Sequence, residues 1–433
     1  MRPVARAPRT PAPRASRTAA YTRQPGTLGG VGPADQRAVR RANLSAVARL
    51  VAAEGPRSRA TIALRTGINK STVSSLVAEL IDRGLLAETG EQEHPGRVGR
   101  PARTVTLGTG VAAAGLELNV DHLAVCVVDL AGRVLHAERV PTVGAARRPA
   151  EVLDELAHLA RAAIAAARAR GVRVLGAGLA LPGLVDQRDG RLLLAPNLGW
   201  REVPVRAELA RRLADPGMLL AVDNEANLAA LAEHWDGAAR DLHDFVCVSG
   251  EIGIGGGVVV DGELLRGAHG FGGELGHVVV DPGGKPCACG SRGCLETIAG
   301  RAAVLRRAGC PPAAGAGVLR SRAEAGDTAT LAALGDAGQA LGFALAAVVN
   351  VLDPEAVLLG GYLAPLAPWL ERPLAAELAD RVLAGGCEVR AAALAQGGAT
   401  RGGAAGVLRA ILADPAAVQH GRAAVRYASA VGR

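Results

Sequence analysis

The sequence predicts an α/β protein in which a basic, winged helix-turn-helix head precedes a larger body of strands and Ala-rich helices. Three observations carry that prediction. Positive charge is confined to the first quarter: residues 1–110 hold 18 Lys/Arg against 7 Asp/Glu, whereas the remainder holds 31 against 34. Within that quarter, residues 37–107 read as helix, short helix, glycine turn, polar-faced helix and a hairpin with a Gly/Arg-rich tip. From Val111 onward strands alternate with helices, and the antiparallel opening of this body recurs at DFVCVSG, residues 244–250.

Length and composition set the bounds. A chain of 433 residues accommodates two or three domains, and its 49% apolar but only 2% aromatic composition means cores built from Leu, Val and Ala. No run of eighteen or more uncharged apolar residues reads as a membrane span, so no membrane partner is expected. The basic N-terminus lacks an apolar h-region, and no secretory signal is expected. Clustered thiols with metal-ligand spacing favour a reducing, cytoplasmic setting. The expected organisation is a disordered basic extension over 1–35, a DNA-binding head over 36–108, a two-lobed body over 109–415 and a tail over 416–433.

In the head, Leu44, Val47, Ala48 and Val51 recur at helical spacing up to Glu54, where Gly55-Pro56 stops the helix. Ser58 suits the N-cap of a short helix through Arg65, and Thr66-Gly67-Ile68 makes a tight turn. Asn69 caps the next helix, whose Val73, Leu76, Val77, Leu80 and Ile81 form one apolar face. Asn69, Lys70, Ser71, Thr72, Ser74 and Ser75 make its N-terminal part polar, as a recognition helix requires for reaching base edges and phosphates. The tip Gly96-Arg97-Val98-Gly99-Arg100-Pro101 places Arg97 and Arg100 on a wing able to enter a minor groove. The alternative is a generic three-helix packing module with a solvated basic loop. Charge, polar helix face and wing coincide, which favours DNA as the partner.

In the body, VAAAGLEL, LAVCVVDL and RVLHAERV predict three antiparallel strands. A helix follows over about 149–170, then a buried strand over 172–181, a helix over 205–213, a strand over 218–222 and a helix over 225–235. The second set opens at residue 244 and includes a long helix over 328–352 and a strand over 356–359. The Ala/Gly-rich face from Gly335 to Asn350 is compatible with packing against a partner subunit or inside the lobe. Cys126 and Cys247 read as core thiols, and Cys310 and Cys387 show no partner in the sequence.

Between Gly270 and Glu296 the chain places His277, Cys287, Cys289 and Cys294 within eighteen residues. Three thiolates and an imidazole suit a tetrahedral structural Zn2+ site. A disulfide is the competing reading. One residue between Cys287 and Cys289 strains their mutual bridge, and three cysteines leave one unpaired.

The same stretch carries a family resemblance. ELGH followed by CxCGxxGCxE, together with the glycine-rich block Ser249–His277, resembles the ROK family of sugar kinases and transcriptional repressors, over roughly Val111 to Leu412. The GRxGRP tip is similar to the wing of ROK repressors. The resemblance implies a two-lobed actin-like/hexokinase-type (ribonuclease H-like) ATPase fold. It also implies sugar contacts at Asn224, Glu225, Glu274, His277 and Glu296, with Asn197 of APNLGW nearby.

Kinases of this family resemble Asp-x-Gly-Gly-Thr-Lys in the first phosphate hairpin, where this chain has Glu117-Leu118-Asn119-Val120-Asp121-His122. The second hairpin begins Glu251-Ile252 where kinases resemble Gly-Thr, and the base position of the Asn-Asp motif is Asn224-Glu225. Bulky or acidic side chains in both hairpins obstruct phosphate, and the longer glutamate misplaces a base, so no ATP cofactor and no catalytic residue are expected beyond a vestigial Glu225. The expectation is a sugar-responsive transcriptional regulator, a homodimer or homotetramer acting on operator DNA through a small-molecule sugar effector. An ATP-dependent sugar kinase carrying a DNA-binding head is the alternative, and a constitutive DNA-binding protein with a vestigial sugar lobe is a third reading.

Overall fold

The structure, a computed structural model, describes residues 33–93, 102–142, 147–383, 386–394 and 397–416. By compactness the chain divides into residues 1–39 and 40–433; of the first unit only 33–39, the opening turns of helix α1, is described. That start falls inside the segment expected to be disordered to residue 35. Pro33 sits at the first helical position, which its fixed φ suits.

The head comprises α1 (Pro33–Glu54), the two-residue strand β1 (Arg57–Ser58), α2 (Arg59–Thr66), α3 (Lys70–Asp82), β2 (Leu86–Glu93) and β3 (Ala102–Leu107). Ser58 caps α2 by accepting from the Thr61 amide, and Asn69 caps α3 by accepting from the Thr72 amide. Gly67 ends α2 with φ +70°, a conformation that only glycine adopts without strain. Val73, Leu76, Val77 and Leu80 are buried against Leu44, Val47 and Val51 of α1, while β1, β3 and β2 form the small sheet of the wing. The wing tip, with Arg97 and Arg100, lies outside the described residues.

The body repeats one topology twice. Its first sheet uses β4 (Val111–Leu118), β5 (His122–Asp129), β6 (Val134–Pro141), β7 (Arg173–Leu181) and a strand over 219–224, with helix α4 (Pro149–Ala169) as a crossover. Between them lies a three-stranded flap absent from the sequence expectation: β8 (Leu184–Asp186), β9 (Arg191–Ala195) and β10 (Trp200–Val203). Its strands are too short for period-2 alternation to stand out. Helix α5 (Val205–Leu213) leads to β11 (Leu219–Asn224), and the sheet order is β11-β7-β4-β5-β6.

Helix α6 (Glu225–Asp236) then crosses to the second lobe: β12 (Phe245–Gly250), β13 (Ile254–Val260), β14 (Glu263–Leu264), helices α7 (Glu296–Ala299), α8 (Arg301–Arg307), α9 (Ala316–Glu324) and α10 (Thr328–Leu352), strand β15 (Ala356–Gly361), α11 (Ala367–Arg381), β16 (Glu388–Ala391) and α12 (Gly398–Ala413). Its sheet order, β14-β13-β12-β15-β16, mirrors the first. In each lobe a central strand (β4 or β12) pairs antiparallel with the next strand and parallel with the one after the crossover. This duplicated three-antiparallel, two-parallel pattern is the two-lobed actin-like architecture.

Among the described residues, α10 alone is long and apolar enough to cross a membrane, and 61% of its most apolar window is buried inside the protein. Two of its glycines, Gly338 and Gly342, pack within the lobe. A Cβ on Gly338 would stand 2.5 Å from Pro373 Cγ, and one on Gly342 would stand 2.7 Å from the Leu374 carbonyl, both on α11. Cys126 and Cys247 are buried as expected, but Cys310 does have a partner: Arg322 Nη1 lies 2.9 Å from its sulfur.

Candidate functional site

The capping of α6 builds the centre of the cleft. The Asn224 side chain accepts from the Ala226 amide at 2.8 Å and the Asn227 amide at 3.3 Å, while its Nδ2 donates to the Gly183 carbonyl at 2.9 Å. Asn224 is thus occupied largely by local structure, and Glu225 is held in the first turn of α6. Behind them the buried Asp223 is gripped by Arg266 from the second lobe, with Nη2 to Oδ2 at 2.9 Å.

Asn197, Asn224, Glu225, Glu274, His277 and Glu296 all line one solvent-open cleft of roughly 630 Å³. They come from four separate segments, so only the fold brings them together. Asn197 arrives on the one-turn helix Pro196–Leu198, which Gly199 ends with φ +68°. The glycines of the second hairpin have packing roles. A Cβ on Gly255 would meet Ala226 at 2.8 Å, one on Gly257 would meet Ala230 at 2.4 Å, and one on Gly253 would meet Glu296 Oε2 at 2.6 Å.

At the far end of the cleft His277, Cys287, Cys289 and Cys294 offer four donor atoms that all lie within 4.8 Å of one another. Cys289 Sγ and Cys294 Sγ are 3.8 Å apart and Cys287 Sγ is 3.7 Å from His277 Nδ1. A tetrahedral ion with metal–sulfur bonds of about 2.3 Å spaces two thiolates about 3.8 Å apart. The residues therefore fit one metal ion, with no disulfide among the described cysteines. With Nδ1 turned to the thiols, His277 Nε2 faces Glu274, 3.9 Å away. Glu296 reaches the same knot, accepting from the Cys287 thiol at 2.7 Å.

Behind Glu225 lies a second, acid-lined cavity. Glu117, Glu225, Glu233 and Glu251 line it, with Arg139 as its one lining cation among the described residues. Asn119 Nδ2 donates to Glu225 Oε2 at 2.8 Å, so the turn between β4 and β5 is tied to the first turn of α6. His122 is buried between Asp121 (2.7 Å) and Glu117 (3.2 Å), and Asp121 also pairs with Arg301 at the start of α8. Burial, then repulsion from Glu251 and Glu117, pushes the Glu225 carboxyl well above its ordinary range. Burial and Glu117 push Glu251 up to about 7. The ties through Asn119 and Arg301 could be read from sequence only as departures from a kinase motif. Their partners are more than a hundred residues away.

In the head, Asn69, Lys70, Ser71, Ser74 and Ser75 are exposed and Thr72 is half-buried. Asn69 Oδ1 is held by its cap and by the Ser71 hydroxyl at 2.8 Å, and the Ser74 hydroxyl donates to the Lys70 carbonyl at 3.0 Å. Lys70, Ser75 and the Ser71 hydroxyl lone pairs face outward on a preformed helix.

Comparison with known proteins places both halves. Residues 113–410 match the model of the ROK family. The chain belongs to the ROK family. Residues 44–97 match the MarR family model, which gives this ROK protein a MarR-type DNA-binding head. The xylose repressor of Bacillus subtilis (strain 168) is 30% identical over 356 residues, covering 81% of this chain and 89% of the repressor. Among solved structures, a ROK family transcriptional regulator described as a homolog of the E. coli MLC protein superposes with a TM-score of 0.74 at 27% identity, covering 90% of this chain and 99% of that one. A ROK family glucokinase from Streptomyces griseus, in complex with glucose and AMPPNP, superposes with a TM-score of 0.59 at 27% identity over 68% of this chain and 98% of its own. The ROK body is thus shared with kinases. The head in front of it is shared with the regulators.

Proposed function

We infer that this ROK protein is a sugar-responsive, DNA-binding transcriptional regulator acting as a repressor of carbohydrate-utilisation genes. The observation that carries the reading is the state of the two cavities that meet at Glu225: one keeps the polar residues suited to a sugar, and the other has become acidic where phosphate would bind. Carboxylates and amides grip adjacent hydroxyls in pairs, so Asn197, Glu225, Glu274 and Glu296 hold the sugar, with Asn224 contributing through its remaining N–H. Zn2+ held by His277, Cys287, Cys289 and Cys294 orients that imidazole and the loop ending at Glu296, and plays no part in chemistry. No ATP is bound and no catalytic residue operates. The head reads operator DNA through Asn69, Lys70, Ser71, Thr72, Ser74 and Ser75, with Arg97 and Arg100 in the minor groove, and a homodimer or homotetramer in the cytoplasm spans paired half-sites.

The deciding experiment selects a binding duplex from random DNA, then titrates zinc-loaded protein on it with and without a panel of aldoses and amino sugars. A change in affinity with one sugar is expected, without ATP consumption. Sugar-dependent ATP turnover would instead establish the kinase alternative, with Glu225 as base.

A further inference from the structure

We propose that the turn between β4 and β5 is a latch across the interlobe cleft, in which Asn119 and Asp121 are positioning residues for the two walls. Only the ligand arm of its test rests on the sugar-binding reading above. The turn is braced before it touches any other element. The Asn119 amide donates to the His122 carbonyl at 3.0 Å, Asn119 Oδ1 accepts from the Val120 amide at 2.7 Å, and the Asp121 carbonyl accepts from the Thr142 amide at 2.9 Å. On either side Leu118 and Leu123 are anchored in the core of the first lobe. Asp121 Oδ1 is taken by His122 at 2.7 Å. The groups left for other elements are Asn119 Nδ2 and Asp121 Oδ2.

Each of those groups grips a different wall. Asn119 Nδ2 donates to Glu225 Oε2 at 2.8 Å, in the first turn of the helix that leads from the first lobe to the second. Asp121 Oδ2 accepts from Arg301 Nη2 at the first position of α8, whose Ala303, Val304 and Leu305 belong to the core of the second lobe. Arg301 follows α7 closely, and α7 begins with the cleft carboxylate Glu296. The corner between these helices is stiff: the Gly300 amide donates to the Glu296 carbonyl at 3.0 Å, a Cβ on Gly300 would stand 2.5 Å from that carbonyl, and the Tyr362 hydroxyl donates to the Ala299 carbonyl. One turn of the first lobe therefore holds Glu225 directly and, through Arg301, the segment that carries Glu296. The Asp121 and Arg301 side chains are only 35% and 20% exposed, so their charge-assisted bond is stronger than that of a fully solvated surface pair. Its partners belong to separate apolar cores, so opening the cleft must break it.

The test is hydrogen–deuterium exchange on the full zinc-loaded protein without sugar, comparing wild type with Arg301→Gln, Asp121→Asn, their double variant and Arg301→Lys. The readout is the cleft walls at residues 195–199 and 273–277, which contain neither partner. Amides there should exchange about three- to tenfold faster in each charge-removing variant and no faster still in the double variant, with Arg301→Lys close to wild type. Faster exchange confined to residues 119–123 and 300–305 would make the pair a local anchor and overturn the latch, as would additive effects in the double variant. In the ligand arm, release of whichever of radiolabelled D-glucose, D-xylose or N-acetyl-D-glucosamine wild type retains should be about tenfold faster in Arg301→Gln. Unchanged release overturns the positioning role. If wild type retains none of the three, the sugar reading of the cleft falls, while the exchange measurement still decides the latch.

Discussion

At the scale of single residues, His122 shows how charge holds the first hairpin in place. The buried ring bridges Glu117 and Asp121, one carboxylate to each nitrogen. Burial alone would lower its pKa, but the hydrogen bonds to Asp121 and Glu117 outweigh burial and lift it to about 9. Asp121 moves the other way: its hydrogen bond to His122, helped by Arg301, holds it well below the usual carboxylate range. The histidine's contribution is therefore complete below its unfolded pKa of about 6.5 and is lost as pH rises through about 9. Asp121 contributes above about pH 4 and fails only in strong acid. Urea unfolding of wild type and His122→Gln should differ by roughly 3 kcal/mol at pH 6, with most of that difference gone at pH 10. A difference that stays constant with pH would mean the ring is there for its shape.

Among elements, α10 and the thiol loop make opposite demands on the sequence. Gly335 and Gly338 lie one turn apart in the same helix, yet a Cβ at Gly335 meets nothing within 4 Å, whereas one at Gly338 would stand 2.8 Å from the Leu370 carbonyl. Gly335→Ala should stabilise the protein by up to about 1 kcal/mol through helix propensity. Gly338→Ala gains the same propensity but must push α11 away, and should destabilise by about 1–3 kcal/mol; thermal melts of the two variants check both signs. The loop over 278–295 has almost no regular structure, its strand-like contacts being the isolated bridges Val279–Cys294 and Pro286–Arg292. Chelation, or Cys294→Ala, should therefore loosen this loop to protease and abolish sugar binding while leaving DNA affinity intact. Acidification should act likewise, because burial pushes the Cys287 thiol up and the metal must displace its proton.

These two elements also mark what the sequence could disclose. The caps Ser58 and Asn69, the bounds of α10 and the convergence of His277 with Cys287, Cys289 and Cys294 were legible because each is a local rule of spacing or capping. Whether the α10 glycines face a partner or a neighbouring helix was not, since α11 reaches them only through the tertiary fold. The flap strands β8–β10 and the bond from Asn119 to Glu225 were hidden for the same reason: short strands lack a period, and contacts across 106 residues leave no local pattern.

For the molecule as a whole, the question is how a sugar could be felt at the DNA. Residues 40–433 form one compact unit, and the apolar core of the head is continuous with that of the first lobe through Leu85, Val105, Val111 and Val128. Only three residues separate β3 from β4, and a Cβ on Gly108 among them would stand 2.2 Å from the Gly84 carbonyl. Helix α12 runs from the acid-lined cavity, where Gly397, Gly398 and Ala399 form part of the wall, to the head. There Asp414 accepts from Arg41 Nε at 2.6 Å, and the Pro415 carbonyl accepts from Arg83 at 2.7 Å. Sixteen residues make a rod of about 24 Å, seated backbone to backbone at Gly402 on Leu228 and at Gly403 on Gly178. Such close seating leaves no flexible side chains at these two contacts to absorb a shift, so a displacement of its near end is expected to reach α1 and α3 as a rigid movement. In wild type, saturating sugar should change operator affinity by about 5–150-fold, the usual span of a coupling free energy. Asp414→Ala removes the grip on Arg41 and should bring that factor close to one, while sugar affinity measured without DNA stays within about twofold, because Asp414 lies far from the cleft. Fluorescence anisotropy on a labelled duplex with and without sugar measures both. A variant that retained the full sugar response would move the coupling off α12 and onto the short β3–β4 junction, where Gly108→Val is the corresponding substitution.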